Sequence, residues 1–480
     1  MSEATAAAHA EDEAFDRPYD LRLMRRLLSY LRPYRLGVVV AVALLLAGAA
    51  METVGPFLTQ RALDVAVPGR DLGYLGTLVG LYLGSLVLAF VFEYAQTLLT
   101  TWLAQHVMYD LRVQVFTRLQ HLSLRYFDRN PVGRLMTRVT NDVEALNEAF
   151  SSGIVTAFGD VFTLVLILAA MVKLDWRLAL VTFTVLPLVF AAAFVFRGLI
   201  RKAFRDIRVR LARINAYLQE HLGGVRVVQL FGRERQAMDR FAAINRDHLE
   251  ANLRSITWYA LFFPVIEVLT AVAMALILWY GGWQSLRGAV SVGVVAAFLQ
   301  YTRRFFRPIQ DLSEKYNLLQ GALAAAERIF ELLDTEPEIT DPAEPLHLPS
   351  PGRGEIEFRD VWFRYSEDGD WVLRGVSFTA RPGERVAIVG ATGAGKSTII
   401  NLLMRFYEPE RGQVLLDGVP IDQVPVRELR GRIGLVLQDV FLFSGPLETN
   451  VTLGRTDIPR AVVEASATHV NADGFIRRLG

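Results

Sequence analysis

The sequence predicts a multi-domain chain: a six-helix, all-α transmembrane domain followed by an incomplete α/β domain built on a phosphate-binding loop. Three observations carry that reading. Six apolar segments precede residue 313, a strand-like alternation begins after residue 354, and the run GATGAGKST occupies residues 390–398. A chain of 480 residues has room for more than one domain, at about 100–200 residues each. Its 52% hydrophobic content is high for a soluble protein, as expected when several spans lie in lipid. With 51 basic and 50 acidic residues, nothing points to nucleic acid or an acidic partner. There are no cysteines, which excludes disulfides, thiolate metal sites and cysteine nucleophiles.

Residues 1–20 are small and acidic and read as a flexible cytosolic tail, without the basic start and apolar core of a signal peptide. The transmembrane domain is expected over 21–333, with spans near 36–58, 74–102, 152–172, 178–197, 257–280 and 292–312. Each reaches or approaches the ~20 residues needed to cross a ~30 Å hydrocarbon core. Runs such as LGVVVAVALLLAGAA and VFTLVLILAAMV offer water no polar face, which favours membrane over a buried soluble core. With a cytosolic N-terminus, the inner segments carry 25 Arg/Lys and the outer ones 5. That bias fits this orientation and leaves residue 313 onward in the cytosol. The two long inner connections, 104–150 and 197–256, keep a helical period, so their helices should project past the membrane. Two carboxylates, Glu52 and Glu267, fall inside apolar runs. A charge at mid-membrane costs about 2.5–3.5 kcal/mol on insertion scales. Each therefore faces a substrate cavity or partner, or is a protonated packing group, or sits near the headgroups.

Five prolines and no periodicity mark 334–354 as a linker. Beyond it, EIEFRDVWFRY alternates like a half-buried strand, RVAIVG reads as a short buried strand, and GQVLLDG and RIGLVLQD as further strands. The helix KSTIINLLMRFY follows the loop, giving the strand–loop–helix setting a phosphate loop requires.

Gly390, Gly395, Lys396 and Ser397 match the Walker A spacing, with Ala391, Thr392, Gly393 and Ala394 between and Thr398 after. Glycines let backbone N–H groups turn inward on phosphates, and the helix start adds its positive dipole end. Lys396 is placed to reach β- and γ-phosphates and the Ser397 hydroxyl to ligate Mg²⁺. Tyr365, 25 residues before Gly390, either stacks on adenine or packs. Gln438 ends RIGLVLQ and either reaches a metal or water at a strand's C-terminal edge, or is an ordinary loop residue.

These pieces together resemble the ATP-binding cassette (ABC) exporters of the multidrug and lipid-flippase type. Residues 355–480 resemble the first half of the cassette ATPase. RYFDRNPVGRLMTRVTNDVEAL, AYLQEHLGGVRVVQLFGRERQAMDRF and ERIFELLD carry the match in the membrane part. The resemblance implies that Tyr365 stacks on adenine and that Gln438 is the Q-loop glutamine. It implies ATP and Mg²⁺ as ligands, with catalytic roles for Lys396 and Gln438. It further implies two such chains, as homo- or heterodimer, around one pathway for an apolar or amphipathic substrate, with helices four and five crossing to the partner. Two cytosolic tips, near 125–133 and 215–223, would dock on the ATPase domains, giving Arg125, Asp128, Tyr217 and Glu220 coupling roles. The family's signature segment, Walker B strand and switch histidine are not found by Gly480. The chain therefore reads as C-terminally truncated, with about half the cassette absent, and a nucleotide-binding membrane scaffold without turnover is the competing expectation.

Overall fold

The computed structural model describes residues 21–479; the expected acidic tail, 1–20, lies outside the described residues. The chain forms two compact units, one comprising 1–122 and 126–337, the other 123–125 and 338–480. The first is helical. In order come α1 (Leu21–Ser29), α2 (Arg32–Ala66), α3 (Leu72–His121), α4 (Leu124–Arg129), α5 (Val132–Leu174), α6 (Trp176–Gly223), α7 (Val225–Leu230), α8 (Glu234–Leu286) and α9 (Val292–Asp334).

Side chains that prefer to leave a helix set its ends. The Asp71 carboxylate accepts from Tyr74 N at 2.9 Å to start α3, and that of Asp175 accepts from Leu178 N at 2.7 Å to start α6. At the start of α9 the Ser291 hydroxyl accepts from Val294 N at 3.2 Å. Asp64 reaches across from α2 to the same place: it accepts from Gly293 N at 2.8 Å and from the Ser291 hydroxyl at 2.5 Å. The approach is so close that a Cβ on Gly293 would lie 2.5 Å from both Asp64 Oδ1 and the Gln60 carbonyl oxygen. Gly293→Ala should therefore force α2 and α9 apart and cost about 1–3 kcal/mol, the range for overpacking. Thermal unfolding in detergent checks it, and an unchanged midpoint would contradict it.

Five helices are long and apolar enough to cross a membrane among the described residues: α2, α3, α5, α6 and α8. Sequence reading expected six. The sixth run, 292–312, does form the first half of α9, but Arg303, Arg304 and Arg307 break its apolar character. The long inner connections are helical as expected, since α3, α5, α6 and α8 run well past their apolar stretches. One buried cluster, including Leu27, Met108, Leu111, Leu146 and Ile329, joins α1, α3, α5 and α9. A second, including Ile167, Leu178, Ile277 and Phe298, joins α5, α6, α8 and α9. Elsewhere large apolar side chains such as Leu36, Phe90, Phe158 and Phe194 are exposed, as suits a surface solvated by lipid.

The second unit holds a four-stranded antiparallel sheet in the order β2-β1-β3-β4, with β1 Ile356–Phe363, β2 Leu373–Ala380, β3 Arg411–Leu416 and β4 Val419–Pro420. Phe358 lies opposite Phe378 on one side and Val414 on the other, with the two phenyl rings stacked 4.7 Å apart. Helix α10 (Lys396–Leu403) places Ile399, Leu402 and Leu403 in the core with Phe358, Phe363, Leu373 and Val414.

Two expected strands are absent. Residues 385–390 and 433–437 carry no regular structure, and Val389 and Val436 are 88% and 95% exposed. After Arg385 both runs are continuously apolar, the signature of strands buried in a parallel sheet. Such a strand needs ladder partners on its flanks, and among the described residues no strand pairs with either.

Candidate nucleotide site

The phosphate loop runs straight into α10. Gly393 and Gly395 both take φ of +86°, and a Cβ on Gly395 would strike Leu373 Cδ2 at 2.8 Å. Glycine is demanded there by backbone conformation and by space. The Ala394 amide donates to the Ala391 carbonyl at 3.1 Å, closing a tight turn over Thr392. Lys396 Nζ folds back and donates to the carbonyls of Gly390 at 2.8 Å and Ala391 at 2.7 Å. Its ammonium is thereby held over the loop that an anion would approach.

The buried Thr398 shares a 3.0 Å hydrogen bond with the Tyr365 hydroxyl. The Tyr365 ring stands edge-on to Phe363 and Tyr407, at 4.9 and 5.1 Å, and remains 38% exposed. Tyr365 and the loop helix are thus one assembly, a link across 33 residues of chain. Ser397 is exposed and its side chain makes no hydrogen bond among the described residues, so its hydroxyl is available as a metal ligand. Gln438 is exposed in an irregular segment and makes no hydrogen bond to the loop among the described residues.

The residues expected at the cytosolic tips lie on helices. Arg125 and Asp128 are on α4. Arg125 groups with the second unit, where it pairs with Glu338 at 3.4 Å and lies 5.9 Å from the Tyr407 ring. Tyr217 and Glu220 occupy the last two turns of α6, because the helix continues to the glycine pair Gly223 and Gly224 before it breaks. Tyr217 donates to the Ala237 carbonyl at 2.7 Å across the α6–α8 hairpin and stacks on His221 at 3.8 Å. Glu52 and Glu267 are exposed, with no side-chain hydrogen bond or ion pair among the described residues. Glu93, in the apolar stretch of α3, is likewise exposed and was not singled out from sequence.

Sequence reading also missed a ladder of charges along the cytosolic half of α9. Lys315 pairs with Asp160, Arg328 with Asp142 at 3.0 and 2.6 Å, Glu331 with Arg138 at 3.7 Å, and Asp334 with Arg26 at 2.6 Å. Residues 328, 331 and 334 are spaced three apart, which places them along one helix face. That periodicity was the available signal. Hydrogen bonding from Arg26 holds the Asp334 carboxyl below the usual carboxylate range.

A chain that joins several apolar membrane helices to a phosphate loop seated on an α/β unit is a membrane nucleotide-binding protein. Comparison with known families refines the class. The model of the ABC transporter transmembrane region matches residues 38–309 and that of the ABC transporter matches 373–479. An uncharacterized ABC transporter ATP-binding protein of Bacillus subtilis, YknV, is 34% identical over 98% of this chain and 78% of its own length. The ATP-dependent lipid A-core flippase of Syntrophus aciditrophicus is 32% identical over 95% of this chain and 76% of its own. A probable multidrug resistance ABC transporter of Bacillus subtilis, YheH, is 35% identical over 84% and 60%. The chain belongs to the ABC transporter family and is an integral, multi-pass membrane protein.

Proposed function

We propose that the chain is one half of an ATP-driven exporter that moves an apolar or amphipathic solute out of the cytosol by alternating access, working as a dimer. The observation that carries the reading is a Walker A loop, with Lys396 folded over it, in the same polypeptide as five candidate membrane spans. Its membrane relatives include a protein named a lipid A-core flippase and one named a multidrug resistance transporter.

In this reading the second half is another such chain. Helices α6 and α8 pack on each other along their length while Phe194, Phe204, Leu253 and Phe263 stay exposed on them, which supports a partner covering that hairpin. Helix α9 supplies a sixth crossing, and the positive-inside bias places both ends in the cytosol. The domain limits of this reading are 21–333, 334–354 and 355–480; the end of α9 at Asp334 and the start of β1 at Ile356, each one residue away, support them.

Residues Gly390 to Thr398 grip the phosphates. Bound Mg²⁺ would supply charge neutralisation at the β- and γ-oxygens. Ser397 would hold it through its hydroxyl, joined by Gln438. Tyr365 stacks on adenine, its ring kept upright by Phe363 and Tyr407 and its hydroxyl fixed by Thr398. Arg125, Asp128, Tyr217 and Glu220 transmit motion between membrane and ATPase parts.

The scaffold reading has its own support in the exposed, irregular segments 385–390 and 433–437 and in the distance of Gln438 from any loop hydrogen bond. Phosphoryl transfer depends on positioned groups, so a cradle without a placed carboxylate or Gln438 is a poor catalyst. Residues 1–480 by themselves should therefore bind ATP and show no coupled hydrolysis.

Glu52 and Glu267, exposed on α2 and α8, are the candidate contacts for a cationic amphiphile. Vesicle uptake of paired cationic and neutral dyes tests them, in a chain extended through the family's signature and Walker B segments so that turnover is possible. Glu52→Gln or Glu267→Gln should slow the cationic dye severalfold and spare the neutral one, and equal rates for both dyes would remove these carboxylates from the substrate path.

A further inference from the structure

Beside α1 lies a cavity of about 600 Å³ whose lining includes Arg26, Tyr30, Gln114, Arg118, His121 and Leu333. Its polar groups are unevenly committed. Arg26 donates both terminal nitrogens to Asp334 at 2.6 Å and lies 4.3 Å over the Phe330 ring. The Tyr30 hydroxyl donates to Gln114 Oε1 at 3.0 Å, which leaves the Gln114 amide nitrogen as a donor. His121 Nδ1 is engaged by the Thr117 carbonyl at 2.7 Å, leaving Nε2.

Arg118 stands apart. Its guanidinium makes no hydrogen bond and no ion pair among the described residues, and its Nε is buried without a partner. The carboxylate acting on it, Asp334, is already held by Arg26. A shielded guanidinium edge without an acceptor is unfavourable unless something supplies one. The cavity thus gathers surplus donors and no uncommitted carboxylate.

We propose that this cavity binds a phosphate-type oxyanion, with the Arg118 fork as its principal contact and Gln114 and His121 beside it. A planar guanidinium matches two oxygens of such a group, which a lone ammonium does not. The site shares no residue with 390–398 and adds to the nucleotide reading. Position along α3 favours a soluble ligand. Tyr34 and Trp102 meet edge-on at 6.2 Å, the kind of aromatic pair that marks a membrane interface. Arg118 is 16 residues farther along α3, about 24 Å at 1.5 Å per residue. A bound oxyanion would tie α1 to α3 beside the end of α9, where Leu333 lines the same cavity.

The test is calorimetric titration of inorganic pyrophosphate into the full chain in nanodiscs. Lys396→Ala is included to separate this site from the phosphate loop. Binding should persist in Lys396→Ala, weaken at least about tenfold in Arg118→Gln, and recover in part in Arg118→Lys. Equal affinity in Arg118→Gln, or binding abolished by Lys396→Ala alone, would overturn the proposal. Should Arg118→Gln not fold, the severalfold weakening expected of Arg118→Lys carries the test, and no weakening there overturns it. Nanodiscs of phosphatidylglycerol against phosphatidylcholine decide the source. Unchanged pyrophosphate affinity supports a soluble ligand, and competition by phosphatidylglycerol assigns the same donors to a lipid headgroup and overturns the soluble assignment.

Discussion

Replacing Lys396 by alanine should weaken ATP binding about ten- to a hundredfold. The ammonium already sits within 2.8 Å of two loop carbonyls, so it is positioned where a phosphate would enter and needs little rearrangement to meet one. A charge-assisted contact is worth about 1.5–3 kcal/mol, and each 1.4 kcal/mol is tenfold in affinity. Alanine removes that contact and also the two hydrogen bonds from Nζ to the Gly390 and Ala391 carbonyls. Titration of a fluorescent ATP analogue into parent and variant measures the difference. Equal dissociation constants would remove Lys396 from the nucleotide site.

Arg328→Leu should cost about 1.5–3 kcal/mol, the worth of hydrogen bonds to a charged group. Asp142 is buried on α5, and the guanidinium of Arg328 is its bidentate partner. Losing the cation strands a carboxylate that cannot easily return to water. The double variant Asp142→Leu/Arg328→Leu should recover part of the loss, because it removes the stranded charge as well. Thermal unfolding of the three variants gives the coupling. Additive losses would mean that the pair acts as two independent surface charges.

The membrane helices were legible because lipid demands long apolar runs, and five of the six predicted runs meet that demand among the described residues. The sixth, whose start VGVVAAFL is followed by three arginines within the same helix, forms a helix as expected but falls short of that apolar measure. Strand β1 was legible because alternation reports a half-buried face, and β3 was read from its apolar run VLL beside a turn-forming DG, although its burial does not alternate. Residues 385–390 and 433–437 were not, since a purely apolar run says nothing about whether a ladder partner is at hand. The loop was readable residue by residue, because its glycines answer to local backbone conformation. The Tyr365–Thr398 bond was out of reach, and so was the Arg328–Asp142 pair, whose members are 186 residues apart. Spacing reports neighbours on one element. It does not report which elements meet.

The central claim is that nucleotide binding at Lys396 drives movement of an amphiphile. The direct measurement is ATP hydrolysis in proteoliposomes, with and without a cationic amphiphile, by a chain extended through the signature and Walker B segments of the family. The account predicts hydrolysis that the amphiphile stimulates and that Lys396→Ala abolishes. An extended chain that binds ATP through Lys396 yet shows no amphiphile-stimulated turnover would contradict the exporter reading in favour of a scaffold.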